Sequence, residues 1–386
     1  MRSRTKDGTL PRAGRGGAAT AEGAARAELT RLANGQLATQ VLATGARLGV
    51  MDLIGDDTRT AEQVARALGT DPGATLRLLR ALAALGALTE TAPAAFALTE
   101  MGAQLRTDLP ESLHSVFRLV TNPGLVRHWE RLDEGIRTGG ATFAATYGTD
   151  IFTYLRDRPD LSAEYNAAMG GGSRAVAADV AAHYDFGRFA TVVDMGGGDG
   201  TLLSGVLRAH PGVRGVLCDT ADGLAQARDR MADAGLAGRC ALEPGDFFAA
   251  APSGGDLYVL KSVLHDWDDE QCGVILRNIR RAVPDDGRLL VVETVLPSTV
   301  PPDADEVPYL VDVNMLLTYG GRERTRAEYE ALCRGAGFGI TSVTPLPAPD
   351  PYALIEAAPV GPAPSGPAPS GPEPSGPATA DPASDA

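Results

Sequence analysis

Apolar residues recur at helical spacing between residues 29 and 100. The segments LATQVLATGARLGVMDLI, TAEQVARALG and DPGATLRLLRALAALGALTE are rich in Ala and Leu and predict three helices. Thr60 followed by Gln63 predicts a capping box, and Asp71 before Pro72 predicts an N-cap with proline in the first helical position. The segment GALTETAPAAFALTEMG predicts a short β-hairpin. Three helices and a hairpin together indicate a winged-helix-like domain.

Winged helices bind DNA in other proteins, and the third helix would be the recognition helix here. It carries Arg77 and Arg80 but is otherwise mostly leucine and alanine, which favours a buried, dimer-forming role over DNA binding. The 35 Lys and Arg residues against 49 Asp and Glu residues leave a net charge of −14. Because an acidic chain repels phosphate, nucleic acid is not expected as a partner. A homodimer is expected instead.

From residue 188 onward, short continuous apolar runs alternate with helical segments. The runs are TVVDMGG, GVLCD, DLYVLKSVL and GRLLVVETVL, and the helical segments between them include TLLSGVLRAH and DEQCGVILRNIRRAV. Continuous apolar strands suit a parallel sheet that is covered on both faces. The predicted fold class is therefore α/β. A doubly wound, Rossmann-like domain follows an all-α, winged-helix-like dimerisation domain.

These patterns divide the chain into five parts. Residues 1–25 and 359–386 are expected to be disordered tails, the latter because it repeats GPAPS, GPAPS and GPEPS. The dimerisation domain is expected over 26–111, a helical connector that contributes to a substrate pocket over 112–180, and the catalytic domain over 181–358.

Composition narrows the class of protein. Apolar residues make up 44% and charged residues 22% of 386 residues, as in ordinary globular proteins. No uncharged apolar stretch approaches the roughly 18–20 residues of a membrane span, and no apolar core follows the basic N-terminus, so neither membrane nor secretion is expected. The four cysteines lack paired spacing, which favours a reducing cytoplasm. No His/Asp cluster has ligand spacing, so no metal ion is expected.

The first apolar strand ends in a glycine-rich turn that begins at Asp194 and includes Gly196, Gly198 and Gly200. Such a turn lets backbone amides approach a ligand at the carboxyl end of the strand. The dinucleotide fingerprint requires glycine or alanine where this chain has Thr201. An aspartate in the turn would also repel a pyrophosphate, whereas it tolerates a ligand with an ammonium group. We therefore expect an adenosyl ligand that lacks a pyrophosphate.

Two later acids fit the same ligand. Asp219 ends the second strand, where its carboxylate could accept hydrogen bonds from both ribose hydroxyls. Asp246 follows the third strand, which lies between GVLCD and DLYVLKSVL, and could accept from the adenine amino group, while Phe247 packs against the ring. Each signal alone is weak. In this order and at these intervals they favour S-adenosylmethionine over a dinucleotide.

The catalytic candidates follow the fourth strand. His265 lies at the carboxyl edge of the sheet, and an imidazole titrates near pH ~6.5, so we expect a base at neutral pH. Glu293 ends the next strand and Glu323 lies in a later loop; a carboxylate beside His265 would fix its tautomer. The alternatives are a histidine that caps a helix and surface acids that pair with arginines. Asp268 and the two acids after it are expected only to stabilise a helix N-terminus.

The residues from about 30 to 357 resemble the small-molecule O-methyltransferases that include plant caffeic-acid-type enzymes and bacterial enzymes of aromatic polyketide tailoring. The matching motifs are VVDMGGGDG, GDFF, LKSVLHDWDDEQC, GRLLVVE and LVDVNMLLTYGGRERT. One departure is Asp219-Thr220-Ala221, where the plant enzymes have Asp-Leu-Pro.

The resemblance implies a role for each candidate site residue. His265 would be the base, with Glu293 and Glu323 flanking it. The cofactor residues would be Asp194, Gly196 and Gly198 at the methionine end, Asp219 on the ribose, and Asp246, Phe247 and Lys261 at the adenine. The acceptor residues would be Met169 and Met315, which hold the ring, with Asp312 and Asn314 near the same pocket.

The predicted function is S-adenosylmethionine-dependent methylation of a phenolic hydroxyl on an aromatic, polyketide-type natural product. One alternative is a methyltransferase-like hydroxylase or decarboxylase that holds S-adenosylmethionine without transferring its methyl group. Another is a regulator that uses the winged-helix region on DNA. The presence of His265 favours methyl transfer.

Overall fold

The computed structural model describes residues 21–109, 112–347 and 351–362. Contacts within the chain divide it into two units at Thr99 and Glu100, and each unit is described by itself. Residues 1–20 and 363–386 of the two predicted tails lie outside the described residues. The described parts of both tails differ from the expected disorder. Residues 21–25 belong to the first helix, which begins at Ala21, and Pro359 is the last residue of the final strand.

The described residues of the first unit form α1 (Ala21–Ala33), α2 (Gly35–Arg47), α3 (Val50–Ile54), β1 (Arg59–Thr60), α4 (Ala61–Leu68), α5 (Pro72–Ala84), β2 (Leu88–Ala92) and β3 (Ala95–Leu98). The three strands pair in an antiparallel sheet in the order β1-β3-β2. The predicted capping box is confirmed, since Gln63 N donates to Thr60 Oγ1 over 3.3 Å and Thr60 N donates to Gln63 Oε1 over 2.8 Å. The Asp71 N-cap is also confirmed, as its carboxylate accepts from Ala74 N. The predicted hairpin is β2–β3, whereas the short β1 was not predicted.

The second unit begins with a run of helices that ends in the 25-residue helix α12. These helices are α6 (Glu100–Ala103), α7 (His114–Leu119), α8 (Pro123–Val126), α9 (Leu132–Thr138), α10 (Thr142–Tyr147), α11 (Ile151–Arg156) and α12 (Pro159–His183), with a 3₁₀ turn at Arg127–Arg131. The helices after α12 are α13 (Thr201–Ala209), α14 (Ala227–Asp233), α15 (Asp269–Ala282), α16 (Val307–Tyr319) and α17 (Arg326–Gly335), with 3₁₀ turns at Phe186–Arg188 and Leu264–Asp266.

The sheet of this unit is mostly parallel, as predicted. Its strands are β4 (Thr191–Met195), β5 (Arg214–Asp219), β6 (Cys240–Pro244), β7 (Leu257–Lys261), β8 (Arg288–Leu296), β9 (Arg324–Thr325), β10 (Phe338–Pro345) and β11 (Tyr352–Pro359). The order is β10-β11-β8-β7-β4-β5-β6, with β9 beside β8. The chain order reverses at β4, between β5 and β7, which is where open α/β sheets bind ligands. The antiparallel pair β10–β11 was not predicted.

Both faces of the sheet are covered, which explains the continuous apolar strands. Neighbouring residues of β4 enter different cores: Val192 packs with apolar residues of α12 and α13, and Val193 packs with those of α15 and α17. A strand that is buried on both faces has no polar alternation. Among the described residues, no helix is both long and apolar enough to cross a bilayer.

Candidate functional site

The glycine turn after β4 has the backbone that the sequence requires. Gly196 and Gly198 adopt φ values of 70° and 55°, a region that side chains with a Cβ rarely occupy. A Cβ on Gly197 would lie 2.6 Å from Asp194 Oδ2, so the turn folds tightly onto that carboxylate. Burial raises the pKa of Asp194 to about 7.

Asp219 ties this turn to the end of β5. Its Oδ2 accepts from Gly198 N over 2.8 Å, and its Oδ1 accepts from Thr220 N over 2.7 Å. Burial raises the pKa of Asp219, although these hydrogen bonds oppose the effect. Asp199 of the turn pairs with Arg230 at 2.6 Å, so it meets a cation from the protein itself.

The residues predicted for adenine lie at the carboxyl end of β7 and in the loop after β6. Asp246 accepts a hydrogen bond from Phe248 N over 2.8 Å, and Phe247 packs edge-on against Trp267 with ring centroids 6.0 Å apart. Lys261 ends β7, donates to Ser262 Oγ over 3.2 Å and lies 5.3 Å from the Tyr352 ring centroid. These residues therefore border the edge of the sheet that carries the glycine turn.

His265 lies in the 3₁₀ turn after β7, and three carboxylates surround it. Its Nδ1 is 2.8 Å from Glu323 Oε1, a hydrogen-bond distance, and 3.6 Å from Glu293 Oε2. Its Nε2 is 3.6 Å from Asp266 Oδ1. The structure thus brings together the three predicted catalytic residues and adds Asp266.

Backbone amides hold the carboxylate of Glu293. Glu293 Oε1 accepts from Val263 N and Leu264 N, each over 2.9 Å. This arrangement depends on Ser262, which turns the chain with a φ of 52°.

Different contacts hold the loop that carries Glu323. Asp312 Oδ1 on α16 accepts from Glu323 N over 2.8 Å, and Arg322 N donates to the His265 carbonyl oxygen over 2.9 Å. A Cβ on Gly321 would overlap that carbonyl oxygen, so only glycine allows the loop to approach this closely.

The protonation of His265 differs from the sequence-based expectation. Burial alone would lower its pKa, but Glu293, Asp266 and Glu323 outweigh burial and raise the pKa to about 10. The expectation of an ordinary imidazole pKa is therefore wrong for this site, because carboxylates from three segments converge on one ring. Burial raises the pKa of Asp266 to about 7, against the effect of His265.

The same three side chains could in principle hold a metal ion. Ligand-type atoms of His265, Glu293 and Glu323 lie within 4.8 Å of one another, although their spacing in the sequence does not indicate a cluster. Metal ligands must be deprotonated, and this imidazole has a pKa near 10 while it donates to Glu323. The arrangement therefore suits proton chemistry better than metal binding.

The predicted acceptor residues do not all face the same way. Asp312 turns to Glu323, whereas Asn314 Oδ1 accepts from Trp129 Nε1 and Thr318 Oγ1, each over 3.1 Å. Residues that are two positions apart in a helix point about 200° away from each other around its axis, so these side chains lie on different faces of α16. Met315 is buried, and Met169 on α12 is 47% exposed.

Aromatic side chains connect the turn that carries His265 with helix α16, which carries the predicted acceptor residues. Phe152 stacks on Trp267 and also meets Tyr319, with ring centroids 5.8 Å apart in both pairs. The Tyr319 hydroxyl is 2.6 Å from the Tyr165 hydroxyl. Burial and the charge of Asp266 raise the pKa of Tyr165 well above its usual range, so its phenol stays neutral.

Comparison with known proteins places these features in a family. Residues 129–339 match the model of the O-methyltransferase domain, and residues 30–108 match the O-methyltransferase dimerisation domain. The chain belongs to the O-methyltransferase family. The predicted resemblance and fold class are thereby confirmed.

Individual relatives agree with this assignment. The O-methyltransferase is 45% identical over 339 residues to O-demethylpuromycin-O-methyltransferase of Streptomyces alboniger, covering 87% of this chain and 90% of the relative. The solved mitomycin 7-O-methyltransferase MmcR matches with a TM-score of 0.82 and 34% identity, covering 88% and 99%. NcsB1 of neocarzinostatin biosynthesis, solved with S-adenosylmethionine and a naphthoic acid, matches with a TM-score of 0.71 and 33% identity, covering 83% and 96%.

Sequence reasoning missed several residues of this O-methyltransferase site. Asp266 follows His265 directly in the sequence, and this adjacency could have indicated that its carboxylate lies close to the imidazole. No role was predicted for Asp266 from the sequence. Tyr165 and Tyr319 are 154 residues apart in the chain, and no linear pattern indicates that their hydroxyls meet.

Proposed function

We propose that this O-methyltransferase transfers the methyl group of S-adenosylmethionine to a phenolic hydroxyl of an aromatic, polyketide-type natural product, with His265 as the base. The observation that carries the proposal is the imidazole held between Glu323 and Glu293 beside the glycine turn. Relatives named for O-demethylpuromycin and for a dihydroxynaphthoate support an aromatic acceptor.

The residues around the turn fit an adenosyl ligand. Gly196 and Gly198 leave the backbone uncovered for the methionine end, beside the buried Asp194. Asp219 Oδ1 already accepts from the amide and the hydroxyl of Thr220, whereas Oδ2 accepts only from Gly198 N among the described residues and keeps a lone pair for a ribose hydroxyl. We assign Asp246, Phe247 and Lys261 to the adenine. When bound, S-adenosylmethionine supplies an electrophilic methyl group.

His265 would act through one defined nitrogen. Because Nδ1 donates to Glu323, Nε2 is the atom that is left to face an acceptor. A phenol has a pKa of ~10 and is a weak nucleophile until it loses its proton. Nε2 takes the proton as the oxygen–methyl bond forms and the sulfur–methyl bond breaks, and base catalysis of this kind contributes ~10²–10⁴-fold.

The acceptor would lie against the aromatic side chains near His265. Phe152, Tyr319 and Met169 offer surface for a flat ring, and we keep Met315 as part of this wall. We assign Asp312 to holding Glu323 in place. Asn314 faces Trp129, so its contribution to the acceptor pocket would come through that tryptophan.

The dimerisation domain, proposed over 26–111, would pair two copies of the chain. Leu29, Leu32 and Leu37 of α1 and α2 are 68%, 56% and 63% exposed, and a second copy would cover them. The helical connector over 112–180 and the catalytic domain over 181–358 would complete each subunit. We propose a cytoplasmic homodimer that uses neither nucleic acid nor a membrane.

The test is product analysis with the purified full chain. Incubation with methyl-labelled S-adenosylmethionine and a panel of phenolic natural products should give a labelled methyl ether and an equal amount of S-adenosylhomocysteine. A hydroxylated or decarboxylated product without S-adenosylhomocysteine would support the alternative enzyme class. His265→Gln should lose most turnover while it still binds S-adenosylmethionine.

A further inference from the structure

The charge around His265 is unbalanced in a way that simple base catalysis does not require. Glu293 is completely buried and Glu323 is 4% exposed. The Oε2 atoms of both glutamates are buried without a hydrogen-bond partner in the described part of the chain. Asp266 adds a third carboxylate on the Nε2 side. An imidazole among three carboxylates is most stable as a cation.

Titratable groups from every neighbouring segment contribute to this balance. Lys261 acts to lower the pKa of Asp266, while Tyr165 and Tyr319 remain neutral phenols beside it. The groups that face the ring are Asp266 on its own turn, Glu293 on β8 and Glu323 in the loop after α16. Behind them, Lys261 at the end of β7, Tyr165 on α12 and Tyr319 on α16 act on Asp266, and Asp312 on α16 accepts from Glu323 N.

The free protein consequently holds the wrong protonation state for a base. With a pKa of about 10, His265 carries protons on both nitrogens at neutral pH. The Nδ1 proton is held by Glu323. Nε2 lies 3.6 Å from Asp266 Oδ1, which is too far for a hydrogen bond. Nε2 is therefore the position from which a proton is lost first.

We propose that His265 releases its Nε2 proton to solvent when the cationic methyl donor binds, and retains that proton when the neutral product is bound. This inference rests on the proposed function. In-line transfer requires the acceptor oxygen at Nε2 and the donor's methyl group beside that oxygen, so the donor's positive charge must lie on the Nε2 side. A cation there opposes an imidazolium and restores the neutral base.

The proton balance then closes over one turnover. His265 loses its Nε2–H proton to the buffer as the donor binds, and Nε2 takes the phenolic proton during transfer. The product S-adenosylhomocysteine is neutral at sulfur, so the imidazolium persists among its carboxylates until the next donor binds. The three carboxylates thus make the base competent only when a methyl group is available.

Calorimetry of the full-length protein tests this without any acceptor. S-adenosylmethionine and S-adenosylhomocysteine are titrated separately in buffers of different ionisation enthalpy, at about pH 7, 8 and 9, to count the protons exchanged. The expected result is that the donor releases about half a proton or more beyond the product at one of these pH values. That excess should disappear in His265→Gln.

Two controls make the count specific. The amino group of each ligand can itself exchange protons, and subtraction of the His265→Gln count removes that contribution. His183→Gln replaces an exposed histidine on α12 and should leave the excess unchanged. Glu323→Gln should reduce the excess, because it removes one of the charges that keep the ring protonated.

Each outcome has one meaning. Equal proton counts for donor and product in the parent protein, or an excess that survives in His265→Gln, would overturn the inference even if both ligands bind. Failure of both ligands to bind would instead contradict the proposed cofactor, and with it the proposed function.

Discussion

Glu323 Oε1 lies 2.8 Å from His265 Nδ1, so the glutamate engages one ring nitrogen and leaves Nε2 outside this contact. The glutamate is buried, and its backbone is held by Asp312. Hydrogen bonds to charged groups contribute about 1.5–3 kcal/mol, more than those between neutral groups. The pair therefore combines orientation with charge.

Glu323→Gln tests the charge while it keeps an oxygen that can accept from Nδ1. We expect turnover to fall by ~10–100-fold, which corresponds to the loss of a charge-assisted hydrogen bond. Steady-state assays with an acceptor from the product screen would measure this. Glu330→Gln makes the same chemical change at an exposed ion pair with Arg326 and should have no effect. Turnover of Glu323→Gln within about twofold of the parent would show that the charge is unimportant.

Asp219 should matter for cofactor binding in two ways. Asp219→Asn keeps one acceptor oxygen but loses the charge and one of the two backbone contacts, so the amide of Gly198 or of Thr220 loses its partner. We expect the dissociation constant of S-adenosylmethionine, measured by calorimetry, to rise by about tenfold, corresponding to roughly one hydrogen bond to a charged group. Asp222→Asn, at an exposed position in the same loop, is the matched control. Unchanged affinity in Asp219→Asn would remove its assigned role.

Local signals predicted the local features of this fold. The caps at Thr60 and Asp71 depend on residues three positions away, so the sequence contains all the information they need. The positions of His265 and Glu293 followed from a single rule, that parallel strands present their carboxyl ends at one edge. Helical geometry alone could have shown that Asp312 and Asn314 face different directions, because they are two positions apart in one helix.

The long-range features could not be read in this way. The pKa of His265 depends on carboxylates from its own turn, from β8 and from the loop after α16. Whether those charges outweigh burial in setting the pKa depends on distances between side chains, and the motif around the histidine does not specify them. The antiparallel β10–β11 pair extends the sheet beyond β8 through strand pairing that no local pattern specifies.

Stability should depend on pH through His265. Its pKa in the folded protein, about 10, is raised above the unfolded value of ~6.5, so folding favours the protonated ring. The resulting stability is fully present below pH ~6.5 and is lost as pH rises through about 10. Urea unfolding should therefore show a larger decrease in stability over this range for the parent than for His265→Gln. Parallel pH dependences in the two proteins would contradict the raised pKa.

Ser262 tests whether backbone strain positions Glu293. Its φ of 52° directs Val263 N and Leu264 N toward Glu293 Oε1, and left-handed backbone costs residues with a Cβ about 1–2 kcal/mol. Ser262→Val should lower both stability and turnover, because a β-branched side chain resists this conformation, whereas Ser262→Gly should keep the turn and the activity.

Ala94 provides the comparison, since it also has a positive φ, 59°, but lies in the hairpin turn of the first unit. Ala94→Val should therefore also lower the unfolding free energy, because a β-branched side chain resists this conformation, without changing the turnover of the folded protein. If Ser262→Val loses stability but keeps full turnover, the strained turn supports the fold alone. If it loses turnover while Ala94→Val does not, Ser262 positions the glutamate that faces the imidazole.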